Sequence, residues 1–250
     1  MKQRLITLVL ATLVLGSTTS IAMADTTEDS VSLTCFPHGS GETEYVSSWG
    51  APRSGGRGHT GTDLMSPRGL EVVAAADGYV ETLRNGNRSG YYIRLSHDDG
   101  AWETWYMHLN NDSPGSDDGR GGAEAAYAQG LAVGDFVKAG QVIGYVGDSG
   151  NAEWTSPHTH FELHIDDHKV DPYPYLVAVD ERVTETYEML DAVAASTDVG
   201  PNQADHGTLW GWLVESGADG CLSSGYKDLV EHLFGELPSE GVLLTGVEAR

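Results

Sequence analysis

Two short stretches of this chain concentrate groups able to hold a metal ion. His59-Thr60-Gly61-Thr62-Asp63 sets an imidazole and a carboxylate four residues apart around a glycine. His158-Thr159-His160 sets two imidazoles two residues apart. In a β-strand, residues i and i+2 face the same way at a separation of roughly 6–7 Å. One imidazole of such a pair can bind an ion while the other reaches a neighbouring substrate atom. Two histidines and one carboxylate leave a fourth position open, which is the ligand count of catalytic rather than structural zinc. Zinc held in this way draws the pKa of bound water toward neutrality, and that water can attack a carbonyl. Each stretch alone is a weak signal, because a lone strand histidine is more often a surface or hydrogen-bonded residue. The conjunction is what points to hydrolysis.

These residues need rigid elements to position them, and the chain between Tyr45 and Leu176 is dense in short strand patterns broken by glycine. Glu71–Ala75 runs into Asp77-Gly78, and Tyr79–Leu83 leaves it, which reads as a hairpin. Tyr91–Ser96 and Thr104–His108 read as two strands with a turn at Asp99-Gly100, and Val142–Gly147 reads as another strand. From His158 to Ile165 the alternation is clean: His158, His160, Glu162 and His164 on one face, Thr159, Phe161, Leu163 and Ile165 on the other. Strands at this spacing without intervening helices predict a mainly β fold, an antiparallel sandwich-like domain. Asn110–Gly130 reads as a long Asp- and Gly-rich insert; its spacing does not fit an EF-hand, and a solvated loop is expected. After Pro172-Tyr173-Pro174 the period changes, with Val179, Val183, Tyr187, Leu190 and Val193 at helical spacing and a second helix over Tyr226–Phe234. The predicted organisation is a signal peptide over 1–24, a polar lead over 25–44, the β domain over 45–176 and a small α-helical C-terminal appendage over 177–250.

The signal peptide is read from Lys2 and Arg4, the apolar run Leu5–Leu15 and the small-x-small pattern Ala22-Met23-Ala24, with cleavage after Ala24. Cleavage makes the protein secreted or periplasmic, in the cell-wall space, without stable membrane insertion. The chain carries 37 acids against 14 Lys plus Arg, a formal charge of −23, and loses two of its basic residues with the signal. Such a balance excludes nucleic acid as a partner and argues against docking on anionic lipid. Only two cysteines, Cys35 and Cys221, are present, which excludes a four-cysteine zinc site. In an exported protein they have a single possible pairing, one that ties the appendage to the start of the β domain; the alternative is two unpaired thiols.

Several segments together resemble the lysostaphin/LytM-type zinc metalloendopeptidases of bacterial peptidoglycan. Trp49-Gly50-Ala51-Pro52-Arg53 followed by His59-x-Gly61-x-Asp63 resembles the family's opening, and Ala75–Val80 its first hairpin. Tyr106-Met107-His108-Leu109 matches its Y-x-H-L segment, Val133–Gly144 the turn and strand before the last motif, and Pro157–Glu162 its P-H-L-H-F-E. The resemblance spans about Trp49 to Leu176, roughly half of the chain. It implies one zinc ion held by His59, Asp63 and His160, with His108 and His158 as the catalytic pair beside it and a peptidoglycan peptide as substrate. An imidazole can take a proton from water, hold a developing oxyanion or protonate the leaving amine, and which of the two does which stays open.

Thr159 stands where the family has Leu, and the Asn110–Gly130 insert is longer than the family's link. The rival from another class is a catalytically silent wall-binding or regulatory module, which typically lacks a ligand position; here none is missing. A third reading is a peptidase for non-wall proteins. His164 shares the metal face by parity and is the rival ligand to His160. His97 reads as a turn residue, the alternative being a supporting role behind the metal ligands, and His38, His168, His206 and His232 as surface. Trp49, Trp102 and Trp105 read as core or rim, with Trp154 the tryptophan best placed to line a groove. Among the 37 acids only Asp63 is assigned to chemistry.

Overall fold

The computed structural model describes residues 31–39, 43–181, 188 and 221. The signal peptide, most of the C-terminal appendage and His206 and His232 lie outside the described residues. In chain order the elements are β1 (Pro52–Arg53), β2 (Arg57–Gly58), β3 (Thr62–Met65), β4 (Glu71–Val73), β5 (Gly78–Gly86), β6 (Gly90–His97) and β7 (Trp102–Leu109). Helix α1 (Gly122–Ala126), β8 (Phe136–Val137), β9 (Val142–Tyr145), β10 (His158–Ile165) and β11 (His168–Val170) follow. A helical segment then covers 173–181, its first turn closed by Asp171, whose Oδ1 accepts the Tyr173 N–H at 3.0 Å.

The fold is mainly antiparallel β, as the strand spacing predicts. One sheet runs β11-β10-β7-β6-β5-β8, with β3 also pairing β10. β1 and β2 form a separate ribbon, as do β4 and β9. The β4–β9 ribbon packs across the sheet: Val72, Ile143 and Val146 share a buried cluster with Ile93, Leu95, Tyr106, Leu109, Phe161 and Leu163. Strand β10 has the predicted parity. Phe161 and Leu163 are fully buried on the core side, and Phe161 meets Tyr106 edge-on with ring centroids 5.3 Å apart. Its opposite face carries His158, His160, Glu162 and His164.

The predicted hairpin at Asp77-Gly78 does not form. β4 pairs with β9, whereas β5 pairs with β6 and β8. The alanines between them cross from one sheet to the other: Ala74 N–H donates to Gln141 O, Ala75 N–H to the Tyr106 hydroxyl, and Ala75 O accepts from Thr34 and Cys35. Asp77 takes the Ala139 N–H at 2.8 Å, so its carboxylate serves the crossover and not a two-residue turn.

The polar lead is also revised. Val31, Leu33 and Cys35 alternate inward, and Phe36 and His38 follow them into the interior. Cys35 and Cys221 are joined in a disulfide across 186 residues of sequence. His38, expected at the surface, is only 4% exposed. It lies behind β10, with Nε2 2.9 Å from Thr159 Oγ1 and Nδ1 3.0 Å from the hydroxyls of Thr43 and Ser66. The Leu-to-Thr departure at position 159 therefore has a partner 121 residues away in the lead.

Burial pushes the His38 imidazole down to about 3. Its folded pKa lies below its unfolded one, so its neutral form supports the fold above the unfolded value near 6.5. That support is lost as pH falls from there toward the folded value. The expected loss by pH 4 is about 3 kcal/mol. Chemical denaturation of the wild type and His38→Gln at pH 7 and pH 4 checks it, the variant showing the smaller pH dependence.

Candidate active site

Register brings the first pair of candidates together. In the β10–β3 ladder His160 lies directly opposite Asp63. His59 precedes β3 and reaches the same point because Gly61 lets the chain press against β10. A Cβ at Gly61 would meet Phe161 O at 2.4 Å and His160 Nε2 at 2.8 Å, so the glycine inside His-x-Gly-x-Asp is required by close approach.

The three groups converge. His59 Nε2 lies 3.0 Å from Asp63 Oδ1, His160 Nδ1 lies 2.8 Å from the same oxygen, and the two nitrogens are 2.9 Å apart. Each outer atom is engaged elsewhere. His59 Nδ1 faces Ser48 O at 3.2 Å and Ser48 Oγ at 2.9 Å, and His160 Nε2 faces Glu162 Oε1 at 3.2 Å. Carbonyl and carboxylate oxygens only accept, so the outer nitrogens carry the protons and the inner ones present lone pairs. Arg53 Nη2 donates to Asp63 Oδ2 at 2.5 Å, leaving Oδ1 turned inward.

Charge in the cluster follows from this arrangement. Burial alone would raise the Asp63 carboxyl, but the adjoining imidazoles of His160 and His59 outweigh it and hold the group below the usual carboxylate range. Burial alone would lower His160, yet Asp63 and Glu162 raise it. The cluster thus favours positive charge at its centre. Two imidazole nitrogens and a carboxylate oxygen, with an open side toward a cleft, fit zinc by donor chemistry.

Glu162 is a carboxylate of this cluster to which sequence reasoning assigned no role, although parity places it on this face. Besides His160 it accepts from Thr60 Oγ1 at 2.6 Å, Lys169 Nζ at 2.8 Å and His164 Nε2 at 2.8 Å. Burial opposes its ionisation, but these donors hold it below its ordinary range. His164 is turned away from the three-residue cluster. It is stacked on Trp105 with centroids 4.5 Å apart and tied to Glu162.

His108 arrives by a different route. Strict alternation in β7 would put it on the core side with Tyr106. The β6–β7 register shifts between Tyr91 and Ile93, and His108 adopts φ 63°, a left-handed conformation uncommon for a non-glycine residue. The bulge turns His108 to the cleft beside Met107 and returns Leu109 to the core. Its Nδ1 donates to Ser149 O at 2.9 Å, which leaves Nε2 as the acceptor. Burial, reinforced by the charge of His158, pushes its imidazole down to about 4. His158 donates from Nδ1 to Ser156 O at 2.8 Å, and its ring lies 5.1 Å from that of His108. His158 Nε2 is 3.9 Å from Asp63 Oδ1.

Ser149 is held in turn. Its hydroxyl accepts from Tyr91 N–H at 2.9 Å and donates to Leu109 O at 2.5 Å, and Gly90, at φ +59°, leaves room for it. The neighbouring Asp148 is fully buried and takes two parallel hydrogen bonds from Arg68, at 2.8 and 2.9 Å. The same guanidinium contacts Asp112 and lies 3.1 Å from Asp117. The insert expected to be a solvated loop is thus anchored through a buried aspartate and carries α1. The acids at 112, 117 and 153 already surround the Arg68 guanidinium. Arg68→Met would leave Asp148 and Asp112 buried without a counter-charge, and an expected loss of about 3–5 kcal/mol would appear as a lower denaturation midpoint.

Other expectations need correction. His97 ends β6 and is not a turn residue: it is buried, stacked on Trp102 at 4.0 Å and bonded to Asp77 O and Thr104 Oγ1. Trp154 is exposed and is not among the residues that line the cleft. Trp102 is core, and His168 is exposed as expected.

The cleft over these histidines encloses about 710 Å³. Its floor holds His59, Asp63, His108, His158 and His160, and its rim includes Arg53, Arg57, Arg88 and Lys169.

The family model described as peptidase family M23 matches residues 57–119 and 120–172. The chain is 33% identical over 155 residues to an L-Ala–D-Glu endopeptidase of Bacillus subtilis, covering 58% of this chain and 41% of that protein. It is 28% identical over 200 residues to the glycyl-glycine endopeptidase ALE-1 of Staphylococcus capitis, covering 77% and 46%. Among solved structures, the catalytic domain of lysostaphin from Staphylococcus simulans is 30% identical, covering 54% of this chain and 92% of that one, with a TM-score of 0.44. The chain spans less than half the length of the two curated relatives named. The β domain that carries the three converging side chains and the two facing histidines is the part of the chain that matches peptidase family M23, over residues 57–172.

Proposed function

We propose that this protein is an exported zinc-dependent endopeptidase that hydrolyses peptide bonds in the stems or cross-links of bacterial peptidoglycan. The observation that carries the proposal is the convergence of His59 Nε2, Asp63 Oδ1 and His160 Nδ1 at the floor of an open cleft. His59, Asp63 and His160 would hold the ion. Zinc bound there supplies Lewis-acid chemistry, polarising a carbonyl and acidifying water. Ser48 and Glu162 fix the two ligand imidazoles in the tautomers that point lone pairs inward.

His108 and His158 move the protons. His108 Nε2 is an acceptor kept neutral by burial, and it takes the proton of the attacking water. His158, across the cleft floor, keeps its Nδ1 proton on Ser156 O and acts as the doubly protonated imidazolium, whose Nε2–H stabilises the developing oxyanion or passes to the leaving amine. The relatives named above for endopeptidase activity support a peptide substrate. A disulfide supports an oxidising, extracytoplasmic location. Among the described residues no helix is long and apolar enough to cross a membrane.

The test is the purified protein on isolated cell walls. New amino termini should appear, cease with a chelator and return with zinc. Release that continues unchanged under chelation would refute the zinc mechanism.

A further inference from the structure

The protein is acidic, with 37 acids against 14 basic residues, but its cleft is not. Four of those basic residues, Arg53, Arg57, Arg88 and Lys169, line it, alongside only two acids, Asp63 and Glu162. Both acids are engaged. Asp63 is occupied by Arg53, His59 and His160, and Glu162 by Lys169, Thr60, His160 and His164. Arg53 and Lys169 therefore have internal counter-charges. Arg57 and Arg88 have no carboxylate partner among the described residues and are exposed on the cleft wall.

The β1–β2 ribbon adds a second observation. Arg53 and Arg57 are direct cross-strand partners, so two like charges sit on one face of a two-residue ribbon. Like charges directly opposite each other destabilise such a pair. Asp63 neutralises only Arg53. The ribbon thus keeps one uncompensated cation facing the site at a cost in stability, an arrangement that an incoming anion relieves.

We infer that Arg57 and Arg88 form a carboxylate-recognition subsite, and that the substrate is a peptide carrying a free carboxylate near the scissile bond and not a neutral, glycine-rich strand. The planar guanidinium suits this ligand because it can donate two parallel hydrogen bonds to one carboxylate. The long-range field of the protein repels anions, so recognition acts at contact distance within the cleft, where Debye screening leaves short pairs effective. This inference deepens the endopeptidase reading and rests on it for the position of the peptide, but binding can be measured apart from cleavage.

The experiment titrates the full chain, with and without zinc, with alanyl-glutamyl-lysyl-alanine bearing free carboxylates. Parallel arms use the form amidated at the glutamyl side chain, the form amidated at the C-terminus, the doubly amidated form and pentaglycine amide. The doubly amidated peptide and pentaglycine amide should bind about tenfold more weakly than the free acid, in line with the loss of a charge-assisted pair. The singly amidated forms identify which carboxylate is read. In Arg57→Gln/Arg88→Gln the difference should vanish, and in Arg57→Lys/Arg88→Lys it should be partly retained. Equal binding of acid and amide by the wild type, or an undiminished difference in the Gln double variant, overturns the inference. Hydrolysis of the same peptides is read alongside. Discrimination in binding without cleavage would leave the subsite standing and remove the endopeptidase reading, whereas cleavage without discrimination would do the reverse.

Discussion

Asp63→Ala is expected to lower peptide hydrolysis by at least about 10³-fold and to release the bound metal. The carboxylate is one of the three donors of the proposed zinc site, and removing it leaves His59 Nε2 and His160 Nδ1 facing each other without the anion that would draw a cation between them. The effect on chemistry is large because the electrostatic stabilisation lost is the greatest single contribution such a site makes. Asp63 is half-buried on a short edge strand and packs little apolar surface, so the fold should persist. Steady-state hydrolysis, zinc content and circular dichroism measured together separate loss of metal from loss of fold. Retained zinc with activity within tenfold of wild type would remove Asp63 from the ligand set.

The second large effect is expected at His108. His108→Asn should lower kcat by about 10²–10⁴-fold with zinc content and KM nearly unchanged. Asparagine is the informative replacement for a backbone reason. The residue sits at φ 63°, which asparagine tolerates better than alanine, and its amide can still donate toward Ser149 O. What it lacks is an acceptor at the reach of Nε2. A drop in kcat without metal loss identifies a proton-transfer role, while parallel loss of zinc would place His108 among the ligands.

Much of this site could be read from residue order because two regular devices built it. Strand parity put His158, His160 and Glu162 on one face, and an antiparallel register then set His160 opposite Asp63. The glycine of His-x-Gly-x-Asp was visible in the sequence, but its reason was not, since the atoms it must clear belong to Phe161 and His160 about a hundred residues later. His108 was found by resemblance and not by periodicity. Its direction depends on a bulge that breaks the two-residue period, and nothing in Tyr106-Met107-His108-Leu109 announces where the extra residue falls.

The misreadings share a cause. Asp77-Gly78 is a strong local hairpin signal, but tertiary pairing of β4 with β9 overrode it. His38 and Asp112 looked solvated because each is polar and lies in a polar stretch. Their burial depends on partners distant in sequence, Thr159 for one and Arg68 for the other. The inward alternation of Val31, Leu33 and Cys35 was present in the lead and was the signal that could have revealed its packing. Bulk charge says little about the cleft, since an acidic chain can still gather arginines there.

The central claim is that a single zinc ion, held by His59, Asp63 and His160, makes this protein a peptidase. Zinc titration of the chelated, dialysed protein tests it most directly, with peptide hydrolysis as the readout. Activity should be absent at the start and rise in proportion to added zinc. It should stop rising at one equivalent per chain and stay absent throughout in His160→Ala. Hydrolysis at full rate before any zinc is added, or an equal rise in His160→Ala, would contradict the account.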